Sequence, residues 1–145
     1  MQSKSEMASE LFVPGFNCAQ SVLAPFCEKY DLDMETALKM TSGLGGGCNL
    51  GELCGAIIGA TMVIGLSDGR YLIEDRAARK NCDAKVAQFV SEFRTMHGNV
   101  VCRDLLGLDI TTEEGLAQKL AIPRDESPCN TFVKDAVEIL EKLGY

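Results

Sequence analysis

SPCNTFVKDAVEILEKL, residues Ser127 to Leu143, carries both signals of a helix start and one clean helical stripe. Ser127 suits the cap and Pro128 the first helical position, where its missing N–H costs nothing and its fixed φ already matches the helix. Val133, Val137, Leu140 and Leu143 then recur on one face, a buried stripe. Cys129 falls at the second helical position.

The same grammar recurs outward from that stretch. Ser3 and Glu6 have the spacing of a capping box for a helix over 3–12, which Pro14-Gly15 ends. Asn17 caps a second helix whose apolar face, Val22, Leu23, Phe26, Cys27 and Tyr30, places Cys27 in the core, with Pro25 as a kink. Asp33 caps a third helix through Met40. The apolar run from Leu53 to Leu66 predicts a buried helix beginning at Cys54. Tyr71 to His97 predicts a long helix with Val86, Phe89, Val90 and Phe93 inward, stopped by Gly98. A short helix over 102–106 and one over 112–121, interrupted by Gly115, lead to the last. Strand patterns are nearly absent. The fold expected is all-α, a multi-helix bundle forming a single domain over 1–145, with cysteines clustered at helix N-termini.

Charge and length exclude several classes. The chain has 145 residues, 21 acidic against 14 basic, and a net charge of -7. No Lys/Arg-rich patch and no Trp argue for nucleic acid. The longest apolar run, about 14 residues, is short for a membrane span. The polar N-terminus has no basic segment followed by an apolar one, so the cytoplasm is the expected location. No phosphate-binding loop motif and no nucleophile–base–acid triplet stand out.

Seven cysteines remain, an odd number that cannot all pair internally. Cys18, Cys54, Cys102 and Cys129 stand at predicted helix starts, where unpaired N–H groups and the macrodipole favour thiolate over thiol. Thiolate is the form that attacks disulfides and binds soft metals. Cys27 and Cys82 read as buried apolar residues. Ser42 to Gly51 holds five glycines in ten residues. Such a loop either turns with positive φ, or comes close to a bound group at which it aims N–H donors, or is a flexible connector. Gly45, Gly46 and Gly47, with Gly55 and Gly59 of the next helix, are the candidate cofactor-contacting positions, although Gly55 and Gly59 first suggest close helix packing. His97 reads as a basic residue at a helix C-terminus, and Glu52 as a solvated carboxylate that could poise Cys54.

Asn17-Cys18-Ala19-Gln20-Ser21-Val22-Leu23, Gly45-Gly46-Gly47, Cys54-Gly55-Ala56-Ile57-Ile58-Gly59, Cys102-Arg103-Asp104-Leu105-Leu106-Gly107 and Cys129 together resemble the bacterial and archaeal redox-active protein family named for its C, GCAxxG, C, C signature, here with CGAxxG as the middle element. The resemblance spans essentially the whole chain and places the family's four signature cysteines on Cys18, Cys54, Cys102 and Cys129. Cys48 is an addition to that pattern.

Three readings follow. In the first, these four cysteines carry thiol redox chemistry, with Cys54 the leading nucleophile and Cys18, Cys102 and Cys129 as resolving or partner thiols. Its partner would be a redox protein or a small-molecule electron donor or acceptor, and homo-oligomer formation stays open. In the second, the same four, with Cys48 as a further candidate, bind a metal as an iron–sulfur cluster or zinc. In the third, a helical interaction protein carries structural cysteines and no cofactor. No C-x-x-C is present, so any shared site must be assembled from distant segments.

Overall fold

The computed structural model describes residues 1–145. Eight α-helices follow one another: α1 (Lys4–Phe12), α2 (Cys18–Leu23), α3 (Met34–Thr41), α4 (Gly55–Asp68), α5 (Arg76–His97), α6 (Cys102–Leu106), α7 (Glu113–Ala121) and α8 (Pro128–Lys142). The all-α bundle expected from the sequence is what forms, and the only β pairing is a single antiparallel bridge between Leu53 and Val101. No helix is long and apolar enough to cross a membrane.

The centre of the bundle is α4. Ala56, Ile57, Gly59, Ala60, Val63 and Ile64 are all buried, so the helix meets neighbours on several sides: α2, α5 and α8. Phe26, Phe89, Phe93 and Leu140 fill the spaces around it. The closest of these approaches is to α2. A Cβ on Gly59 would lie 2.7 Å from the Ala19 carbonyl oxygen and 3.1 Å from Val22 Cβ. One on Gly55 would lie 3.2 Å from Cys18 Cβ. The two glycines therefore serve packing.

Local capping fixes the helix ends. At α1 the Ser3–Glu6 capping box forms as expected. At α2 a second box forms: Asn17 Oδ1 accepts from the Gln20 N–H at 2.8 Å, and Gln20 Oε1 accepts from the Asn17 N–H at 2.9 Å. Their amide nitrogens then reach across to another helix. Asn17 Nδ2 donates to the Thr41 and Ser42 carbonyls, and Gln20 Nε2 to that of Leu38. One pair of side chains thus closes the N-terminus of α2 and the C-terminus of α3 together.

Three boundaries differ from the sequence expectation. The second helix stops at Leu23 and tightens into a 3-10 turn over Ala24–Phe26, because Pro25 offers no N–H to continue it. Cys27, just beyond, is still buried. The long helix begins at Arg76, where the Asp75 side chain accepts the Ala78 N–H, and Tyr71 to Ile73 stay outside it and exposed. Gly115 does not interrupt α7. It sits in the first turn, where a Cβ would fall 1.9 Å from the Asp109 carbonyl oxygen.

The glycine-rich loop turns left-handed. Gly46, Gly47, Cys48 and Asn49 all have φ between 56° and 60°. Such a turn strains Cys48, Asn tolerates it better, and glycine adopts it freely. Gly47 has a further reason to be glycine, since a Cβ there would meet the Glu52 backbone nitrogen at 2.5 Å.

Gly59→Leu should lose about 1 to 3 kcal/mol of stability by forcing α2 and α4 apart, read as a lower melting temperature. Asn17→Ala removes a cap and leaves two carbonyls of the α3 terminus short of a donor, and should cost about 1 to 2 kcal/mol by denaturant titration.

Candidate functional site

Four separate segments deliver the four predicted cysteines to one place. Cys18 opens α2 against Gly55, and Cys54 is the N-cap of α4. Cys102 opens α6, and the Leu53–Val101 bridge ties that start to Cys54, with the Cys54 N–H donating to Val100 O at 2.9 Å. Cys129 follows Pro128 in α8, its N–H accepted by Ser127 Oγ at 3.2 Å. All four line a single inner cavity of about 10 Å³, and all are nearly buried.

A second cavity adjoins it. This outer one, of about 170 Å³, shares Cys18, Gly46, Lys119 and Cys129 with the inner and adds Arg124, while Cys54 and Cys102 do not reach it. The sulfurs therefore form an outer pair, Cys18 and Cys129, in front of an inner pair. A larger groove of about 450 Å³ between α5 and α8 holds no cysteine.

Burial and neighbours act in opposite directions on these thiols. Burial pushes the Cys54 thiol up to about 12, even though the Ala56 and Ile57 N–H groups favour its thiolate. That desolvation weighs against the expectation that Cys54 is the leading nucleophile. Burial raises Cys102 as well. Cys129 moves the other way, down to about 6, with the neighbouring Cys18 thiol the largest cause and further help from the Ser127 hydroxyl and the charges of Lys119 and Arg124. Cys18 is held well above the usual thiol range. The two shifts run in opposite directions because ionising one sulfur disfavours ionising its neighbour.

The metal reading finds no support in this arrangement. No three Cys, His, Asp or Glu side chains converge closely enough to hold one ion. Cys48 is exposed and lines neither cavity. Of the candidate cofactor-contacting glycines, Gly45, Gly46 and Gly55 edge the two cavities and Gly47 and Gly59 do not, and at all five a Cβ would meet other protein atoms at 2.4 to 3.1 Å.

Two other singled-out residues have structural settings. Glu52 makes an ion pair with Arg103 at 2.7 Å across the bridge. His97 stands among Phe93, Phe132 and Asp135, with Nε2 2.9 Å from Asp135 Oδ2 but poorly aligned for a hydrogen bond. Lys119 and Arg124 carry no sequence signal of their role. Nothing local sets them apart from other surface cations.

Neither a search of curated proteins nor one of solved structures returns a match. A family model does match, over residues 16–143, and its description is Putative redox-active protein (C_GCAxxG_C_C). With its signature cysteines gathered around one cavity, the chain belongs to that family.

Proposed function

We propose that the protein carries out thiol–disulfide exchange, with Cys129 as the attacking thiolate and Cys18 as the thiol that resolves the mixed disulfide. The observation that carries this reading is the placement of Cys18 and Cys129 together on the wall of the outer cavity beside Lys119 and Arg124, a setting that pulls the Cys129 thiol down and pushes Cys18 up.

The step balances without a cofactor. Cys129 thiolate attacks one sulfur of a substrate disulfide, and the bond between the two substrate sulfurs breaks with its electron pair leaving on the second. The released thiolate takes the proton that Cys18 held. Cys18, now a thiolate, attacks Cys129 Sγ, forms the protein disulfide and expels the remaining substrate thiolate. The substrate gains two electrons, and the protein loses two. A redox partner protein or a small-molecule dithiol restores the reduced pair by the reverse exchange. Cys54 and Cys102 stay protonated behind the outer pair, on the inner wall of the cavity.

The thiolate population of Cys129 rises as pH passes upward through about 6, against 9.0 for an ordinary thiol. Alkylation of the reduced protein followed by mass spectrometry at each cysteine should therefore show Cys129 labelled first, at a rate that climbs through pH 6 and then levels off. Cys54 should label last. Preferential labelling at Cys54, or a Cys129 profile centred near 9, rejects the assignment. In Cys18→Ser the mixed disulfide cannot be resolved, so a substrate adduct on Cys129 should accumulate, with an alkylation midpoint displaced upward. An adduct on any other cysteine contradicts the roles of attacking and resolving thiol.

A further inference from the structure

The outer cavity is basic although the molecule as a whole is acidic. The chain carries a net charge of -7, yet no Asp or Glu lines the cavity, while Lys119 and Arg124 both do. Lys119 is half-buried and takes no part in any ion pair or side-chain hydrogen bond, although Lys39, Lys142 and Arg103 each have a carboxylate partner. Its ammonium stands over Gly46, 3.8 Å from where a side chain on that residue would begin. The Ile110 side chain borders the same spot, its Cδ1 2.6 Å from that point.

Arg124 is fixed beside it. Its Nε donates to Phe12 O at 2.7 Å and its Nη2 to Phe16 O, while the guanidinium lies on the Phe12 ring at 4.1 Å. Those contacts hold the charge at the cavity edge and leave Nη1 without a protein acceptor. An unpaired ammonium and a guanidinium held by the protein therefore face the same small space, with Cys18 and Cys129 as its floor.

We infer that this cavity binds the carboxylate of a low-molecular-weight disulfide, one whose sulfur lies within a few bonds of the negative charge. The inference rests on the proposed exchange reaction and names its substrate class. Size favours a small molecule. At about 170 Å³ the space suits a group of amino-acid dimensions, below the usual range for drug-sized ligands. The carboxylate would meet Lys119 and Arg124 while its own disulfide reached Cys129, so charge recognition and sulfur attack would share one cavity. Each half of a symmetric substrate carries the same recognition group, and the second half leaves as an anionic thiol into solvent.

Binding and exchange are tested separately. N-acetyl-S-methylcysteine has the carboxylate but, as a thioether, cannot exchange, and its neutral amide is the control. Titrated into reduced wild-type protein and followed by NMR, the acid should shift the amide signals of Lys119 and Cys129, with the amide about tenfold weaker. Lys119→Gln should weaken the acid by a similar factor and leave the amide unchanged. Equal binding of acid and amide, no binding of either, or indifference to Lys119→Gln overturns the anion site.

Exchange is then measured at pH 9, where Cys129 is ionised whether or not Lys119 is present. The dicarboxylate disulfide of N-acetylcysteine should react about tenfold faster than its neutral diamide with wild-type protein and at a similar rate to it with Lys119→Gln. Exchange without this preference removes the substrate class and leaves the exchange reading standing. Carboxylate binding without any exchange at Cys129 keeps the anion site but rejects both that reading and the substrate class built on it.

Discussion

The close contact between α2 and α4 governs the arrangement of the bundle. It exists because Gly55 and Gly59 present bare backbone on the side of α4 that meets Ala19, Val22 and Cys18. Glycine lowers helix propensity by about 1 kcal/mol relative to alanine, so the packing it permits must offset that loss at two positions. The return is geometric as well as energetic. Gly55 brings the start of α2 against the start of α4, and with it Cys18 into the same cavity as Cys54. The Asn17–Gln20 box then fixes α3 to that junction, and α8 packs on α1, α2 and α4 to supply Cys129.

Within that frame, all four sulfurs are nearly buried, and burial alone would keep every one of them protonated. What distinguishes Cys129 is its set of neighbours. A neighbouring thiol, a hydroxyl and two cations act on it, whereas Cys54 has only the N–H groups of its own helix start. A helix terminus offers partial charges at one point. Lys119 and Arg124 offer whole ones. Nearby positions at two helix starts thus lead to opposite shifts.

The helices, their caps and the four cysteines were legible in the sequence because each is encoded within a few residues: Ser3 with Glu6, Asn17 with Gln20, Pro128 after Ser127. The convergence of those cysteines was legible as a pattern without its geometry. Long-range consequences were not. The Leu53–Val101 bridge joins residues that carry no strand signal, and the opposite shifts of Cys129 and Cys54 depend on desolvation and on charges brought in by α7 and the segment after it. The start of α5 differs for a local reason: the apolar residues Tyr71 to Ile73 continue a helical pattern, but the cap at Asp75 fixes where the helix begins.

The Cys18–Cys129 contact also has a consequence for the protein during its own synthesis. Cys18 leaves the ribosome long before Cys129 has been made, and neither sulfur has its partner until α8 docks on α2. Until then the growing chain carries ordinary thiols, alike in acidity and predominantly protonated at neutral pH. Docking of the last helix is what makes one sulfur differ from another, so a truncated chain offers its thiols without distinction.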